Sequence, residues 1–182
     1  MAENATGRLL VATPSLTDAN FQRTVILLAL HDEAGAFGVV LNRPSVAEVR
    51  EYLPDWTAVV PPPGFIFRGG PVEPTSVIAL GRRDDGGEDG WKRVLGDLGI
   101  VDLKDPEQAR TREWSAVRFY SGYAGWGGGQ LDGELEAGAW WVAAPRRRDI
   151  FTETPEDLWR EVVQRSPETQ MYAHFPSDPR AN

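Results

Sequence analysis

At 182 residues the chain has the length of one domain, enough to bury roughly two-thirds of its unfolded surface around a single core. Hydrophobic residues make up 41% and charged residues 25%, which excludes a disordered or fibrous chain. No cysteine is present, so disulfides, thiolate metal sites, iron–sulfur clusters and cysteine nucleophiles fall away together. A net charge of −8 argues against direct nucleic-acid binding, which depends on clustered Lys and Arg.

Residues 1–7 carry neither the positive flank nor the apolar stretch of a signal peptide, so nothing there directs export. The longest aliphatic run, residues 25–30, is far shorter than the roughly 20 apolar residues a membrane-spanning helix needs. A soluble, cytoplasmic protein without membrane association is the expectation. The one obvious basic cluster, Arg146-Arg147-Arg148, reads as a solvated loop after Pro145.

Residues 7–12 and 24–30 are short apolar segments bounded by turn residues, the pattern of buried strands. Residues 14–20 form a loop between them, and residues 31–36 a turn into a third strand at 37–41, giving a hairpin. Ser45 and Glu48 have the spacing of a capping box, which predicts a helix with Val46, Val49 and Leu53 on one face. After the proline run 61–63, strands are expected at 65–68 and 76–81.

Residues 83–90 are rich in Asp, Gly and Glu and read as a mobile surface loop. Strands resume near 91–95 and 99–101, and Asp105-Pro106-Glu107-Gln108 marks a short helix. A strand at 116–121, one or two helical turns at 130–136 and a strand at 139–144 follow. Thr154-Pro155-Glu156-Asp157 starts a last helix with Leu158, Trp159, Val162 and Val163 on its apolar side, and 166–182 reads as an extended tail. Strands joined by both tight turns and helices imply an α+β domain over residues 1–182, a bulging mixed β-sheet flanked by helices.

Catalytic groups are scarce. His31 and His174 are the only histidines, against a multi-histidine zinc site, and no metal or cofactor is expected. Gly69-Gly70 and Gly127-Gly128-Gly129 match no spaced phosphate-binding fingerprint and are read as bends or close approaches, although free N–H groups after Gly129 leave an anion site physically open. Ser121 is not centred in a nucleophile-elbow spacing. What remains is a set of polar and aromatic residues beside chain breaks: Asp18, Asn20, Arg23, His31, Asn42, Arg43, Arg68, Tyr123, Trp126 and Gln130. These are binding candidates, against a reading in which Asn42 and Arg68 hydrogen-bond loop backbone while Tyr123 and Trp126 fill the core.

Residues 7–14, then Asp18, Phe21, Thr24-Val25, His31, Gly35 and residues 38–44, resemble the N-terminal signature of the YqgE/AlgH family (UPF0301, DUF179). Gly69-Gly70-Pro71-Val72 and Gly122-Tyr123-Ala124-Gly125-Trp126, with Gly129-Gln130-Leu131 and Glu134-Leu135, resemble its later signatures in the same order. The resemblance implies a compact fold around a bulging mixed sheet in bacterial cytoplasm and some plant plastids. It implies no agreed catalytic residues, and the transcriptional-regulator label of one branch brings no mechanism with it.

The leading expectation is therefore a binding or regulatory module rather than an enzyme, with an unidentified protein or small-molecule partner. One rival is an enzyme for a small anionic or nucleotide-like substrate, using Arg43 or Arg68 as anion clamp and His31 or Asp18 as acid or base. The other is a transcription-related regulator with nucleic-acid contact.

Overall fold

The computed structural model describes residues 4–84, 87, 89–104, 107 and 113–176. Its strands are β1 (Leu9–Ala12), β2 (Val25–Asp32), β3 (Gly35–Val40), β4 (Pro44–Glu48), β5 (Phe65–Arg68), β6 (Val72–Arg82), β7 (Trp91–Leu95), β8 (Leu98–Val101), β9 (Ala116–Gly127) and β10 (Trp140–Ala143). Short helices α1 (Val49–Tyr52), α2 (Gln130–Glu136) and α3 (Leu158–Val163), with 3₁₀ turns at Pro54–Val59 and Gln170–His174, cover the strands. The result is the expected α+β domain.

The strands form one curled ten-stranded sheet in the order β10-β1-β2-β3-β9-β6-β8-β7, with β5 pairing β9 and β4 pairing β5. Every pairing is antiparallel except β5 with β9. The continuous apolar runs in β1 and β2 follow from burial on both faces. Leu9, Val11, Val25 and Leu27 point to the side covered by α3, and Leu10, Ala12, Ile26 and Leu28 to the side covered by α2. A third cluster, around Trp56, Trp91, Trp114 and Phe119, lies under α1 and the 3₁₀ turn that follows it.

The sheet is organised by β9, a 12-residue strand that pairs with β6 along its first half, with β5 at Tyr120 and Ser121, and with β3 at its end. The exchange of neighbours occurs where Gly69-Gly70 crosses residues 122–124. Gly69 donates its N–H to the Ser121 carbonyl at 2.8 Å and accepts the Val40 N–H at 2.9 Å, so one residue joins β3 to β9. A Cβ on Gly70 would lie 2.2 Å from the Tyr123 carbonyl, and one on Gly122, whose φ is +69°, would lie 2.4 Å from the Gly70 carbonyl oxygen. Main chains this close leave room only for hydrogen.

Several expectations are corrected. The capping box does not form: β4 pairs with β5 through Pro44 and Glu48, Ser45 Oγ accepts the Ala47 N–H at 3.1 Å, and Val46 is 90% exposed. Strand pairing outweighs the local cap, and the helix begins only at Val49. The strand expected at 116–121 runs on to Gly127, because the glycines there permit the crossing rather than end the strand. His31 lies at the end of β2, not in the turn.

The segment expected to be an extended tail folds over residues 166–176. Ala173 is buried, Tyr172 packs 5.2 Å from Trp141, and the Arg23 guanidinium donates to the Phe175 carbonyl at 2.9 and 3.0 Å. Aromatic residues at 172 and 175 supply the contact that docks it. Arg83, at the start of the expected mobile loop, is buried with its guanidinium over Trp91 and Trp114. Residues 85, 86 and 88 of that loop, and nearly all of the helix expected at 105–108, lie outside the described residues.

Replacing Gly70 or Gly122 by Ala will cost about 3 kcal/mol or more, because backbone must move to admit the Cβ. Gly133→Ala, on α2 with nothing within 4 Å of the added Cβ, will gain up to about 1 kcal/mol of stability. Urea unfolding midpoints of the three variants test this ordering; equal tolerance at all three positions would contradict it.

Candidate functional site

The first loop is stapled shut by its own polar residues. Asp18 accepts the Asn20 N–H at 2.8 Å, shaping a turn across residues 18–22. Arg43 reaches over that turn and donates to the carbonyls of Ala19, Asn20 and Gln22 at 2.8, 2.7 and 2.9 Å. Asn42 accepts the Val25 N–H and donates to the Arg23 carbonyl, both at 2.9 Å, extending the ladder between strands with a side chain. Burial and the nearby Arg68 charge hold the Arg43 guanidinium below its ordinary pKa, with Asp18 acting in the opposite sense.

Arg23, at φ +55°, lies 4.1 Å over the Trp159 ring, and burial with the charge of Arg160 lowers its pKa. It lines a cavity of about 210 Å³ together with Thr13, Pro14, Trp159 and Phe175. Asp18, Asn20, His31, Asn42, Arg43, Arg68, Tyr123, Trp126 and Gln130 line neither this cavity nor the larger groove described below.

A second group gathers at α2. Glu134 Oε2 accepts both the Trp126 and Trp140 indole N–H groups, at 2.9 and 2.8 Å, while Oε1 accepts the Gln130 amide at 3.1 Å. Gln130 Oε1 in turn accepts the Gly127 N–H at 3.1 Å, so the protein's own side chain takes an amide of the glycine run. Nearby, His31 is buried; its Nδ1 accepts the Ala5 N–H at 3.2 Å, placing the ring proton on Nε2, which faces Asp132 Oδ1 at 3.3 Å. Tyr123 packs against Phe37 at 4.9 Å. Arg68 and Asn20 are the exposed candidates whose side chains have no hydrogen-bond or ion-pair partner among the described residues.

Two inward-turned arginines, Arg118 fully buried and Arg165 half-buried, were not legible from the sequence. Arg118 is fully buried, donating to Thr152 and Pro62 carbonyls at 2.8 and 2.7 Å with its guanidinium 4.5 Å over the Phe67 ring. Burial lowers its pKa, whereas burial raises that of Tyr120, whose hydroxyl has no hydrogen-bond partner among the described residues. Arg165 makes a bidentate pair with the fully buried Asp149, at 2.7 and 2.5 Å. Neither sits in a recognisable motif; only an apolar neighbourhood on both sides of Arg118 hinted that it is inside.

A groove of about 560 Å³ lies between β10 and the end of α3. Val11, Trp141, Ala143, Val162 and Val163 give it an apolar floor, and Arg146, Arg165, Ser166, Glu168 and Thr169 bring polar groups to it. The basic run beside it is largely neutralised. Arg147 pairs with Asp97 and Asp84 and Arg148 approaches Glu161 at 3.9 Å, leaving the Arg146 guanidinium without a partner among the described residues.

The family model described as AlgH-like, DUF179, matches residues 9–170 and so takes in both stapled loops and the groove. The chain belongs to the AlgH-like family. A UPF0301 protein of Streptomyces avermitilis is 46% identical to it over 183 residues, 97% of this chain and 95% of the relative. A UPF0301 protein of Thermobifida fusca is 41% identical over 189 residues, with the same coverage.

Among solved structures, the crystal structure of a Corynebacterium diphtheriae protein matches with a TM-score of 0.86 at 34% identity, covering 96% of this chain and 94% of that one. The solution structure of the AlgH protein from Pseudomonas aeruginosa matches with a TM-score of 0.69 at 28% identity, covering 91% and 92%. The AlgH-like fold is thus shared across these bacteria.

The carboxylate on α2 gives a direct check on the structural role of Trp126 and Gln130. Glu134→Leu leaves two indole N–H groups without an acceptor and will cost about 2–4 kcal/mol, whereas Glu134→Gln retains an acceptor and will cost about 1 kcal/mol. Chemical denaturation of both variants, followed by tryptophan fluorescence, measures the difference.

Proposed function

We propose that this AlgH-like chain is a binding or regulatory module that works through the groove between β10 and α3. The observation that carries the reading is the groove itself, an apolar floor of Trp141, Val162 and Val163 beside a few polar groups. Concave, mostly apolar surfaces with a small number of polar groups are the usual form of binding sites. The motif loops are spent differently. Arg43, Asn42, Trp126 and Gln130 direct their hydrogen bonds inward, to backbone and to Glu134.

An enzyme using Arg43 as anion clamp would first have to release three backbone carbonyls, and His31 as acid or base is held between Ala5 and Asp132. A nucleic-acid reading would rest on Arg68 and Arg146, since Arg147 and Arg148 already face carboxylates. No helix among the described residues is long and apolar enough to cross a membrane. The reading places the module in the cytoplasm, with which a cysteine-free sequence is compatible.

A fragment screen followed by two-dimensional NMR tests this. Binders will shift the resonances of Trp141, Ala143 and Val163, and Ala143→Trp, which fills the groove, will abolish those shifts without lowering the unfolding temperature by more than a few degrees. Binders that instead shift residues 18–23, Arg43 and Arg68 would return the site to the first loop.

A further inference from the structure

The groove borders an open sheet edge. Among the described residues, strand β10 ends the sheet and pairs only with β1. In an antiparallel ladder, alternate residues direct both main-chain groups toward the partner and the others direct them away. The Thr13 N–H donates to the Ala139 carbonyl at 3.0 Å, and the register Val11↔Trp141 and Leu9↔Ala143 follows, so residues 139, 141 and 143 face β1. The β1–β2 bonds give the same phase independently. Ala12 N–H to Thr24 and Leu28 N–H to Arg8 commit the even residues of β1 to β2, leaving its odd residues for β10. Trp140 and Val142 therefore turn their N–H and carbonyl groups outward.

Apart from being short, that edge carries little of the usual protection among the described residues. Strands at sheet edges are normally blunted by charged residues, proline or a covering element. The sequence Trp140-Trp141-Val142-Ala143 has no charge and no proline, and Val142 is 41% exposed. Trp141 and Ala143 pack on the face that holds α3, so a strand laid beside β10 would send every second side chain toward Val162 and Val163. An open edge flanked by a helix-walled groove is the arrangement that captures extended peptides: main chain gives affinity, and the groove reads alternate side chains.

The charges at the groove narrow the occupant. Arg165 is committed to Asp149, and Arg146 gives that carboxylate only its main-chain N–H, whereas the exposed Arg146 guanidinium has no partner among the described residues. Glu168 supplies the negative charge in the lining. We infer that β10 takes up an extended segment of a partner protein as an added strand, with apolar side chains at alternate positions in the groove and a carboxylate at Arg146. This rests on the groove reading above and specifies its occupant.

The test is a selection from displayed random dodecapeptides against the full chain, with the enriched sequences then made as synthetic peptides. The enriched peptides will alternate apolar residues and carry an acidic group, and binding will slow hydrogen exchange at the Trp140 and Val142 amides. Val142→Pro removes an outward N–H without touching the β1 ladder and will weaken binding more than about tenfold. Arg146→Glu will select basic peptides instead. Because a proline can disturb the strand, the same peptides methylated at alternate amide nitrogens are tested on the unaltered protein, and one methylation phase will abolish binding.

Failure to enrich any peptide, or peptides indifferent to both Val142→Pro and N-methylation, overturns strand addition. If such peptides or small fragments still shift Trp141 and Val163, the groove reading stands and only its occupant is wrong; if they shift residues elsewhere, both fall. A concentration-dependent dimer in sedimentation velocity that Val142→Pro dissolves would assign the edge to a second copy of the chain and overturn peptide capture.

Discussion

The architecture depends on a crossing of two backbones in which Gly69-Gly70 passes directly against residues 122–124 of β9. At that point a strand that has been paired with β6 acquires β3 as its neighbour, and β5 joins from the side. Only hydrogen fits between the chains there. Without the crossing, β1, β2 and β3 would have no continuous connection to β6, β7 and β8.

Much of the scaffold was legible because it rests on local pattern. The unbroken apolar runs of β1 and β2 announced burial on both faces, and Leu158, Trp159, Val162 and Val163 announced the inner face of α3. The failures have a common cause. The Ser45–Glu48 spacing is a sound local helix signal, but pairing of β4 with β5, a contact far away in sequence, outweighed it. The glycines near 122 look like a strand terminator until the chain that crosses them is known. The fold of residues 166–176 likewise depends on Trp141 and Arg23, distant in sequence.

The candidate residues illustrate how motif density and free side chains can separate. Arg43, Asn42, Trp126 and Gln130 stand out because each is a polar or aromatic group beside a chain break, and each closes its loop by bonding to main chain or to Glu134. Arg118 shows the reverse: a residue without any motif is fully buried, balanced by carbonyls and the Phe67 ring. Periodicity places an arginine on a strand face, but not the carbonyls that will meet it. The groove at β10 was invisible for a related reason, since neither an edge position nor the packing of α3 against it is written in the strand's own residues.

In this account a rigid sheet, locked by the glycine crossing, presents one of its ends for binding. Residue-resolved hydrogen exchange on the isolated protein tests that picture most directly. The account predicts the slowest exchange in β9 from Val117 to Ser121, and alternation along β10, with Trp141 and Ala143 protected and Trp140 and Val142 exchanging rapidly. Uniform protection along β10 would show that its edge is already covered, and rapid exchange in β9 would show that the crossing does not hold the sheet.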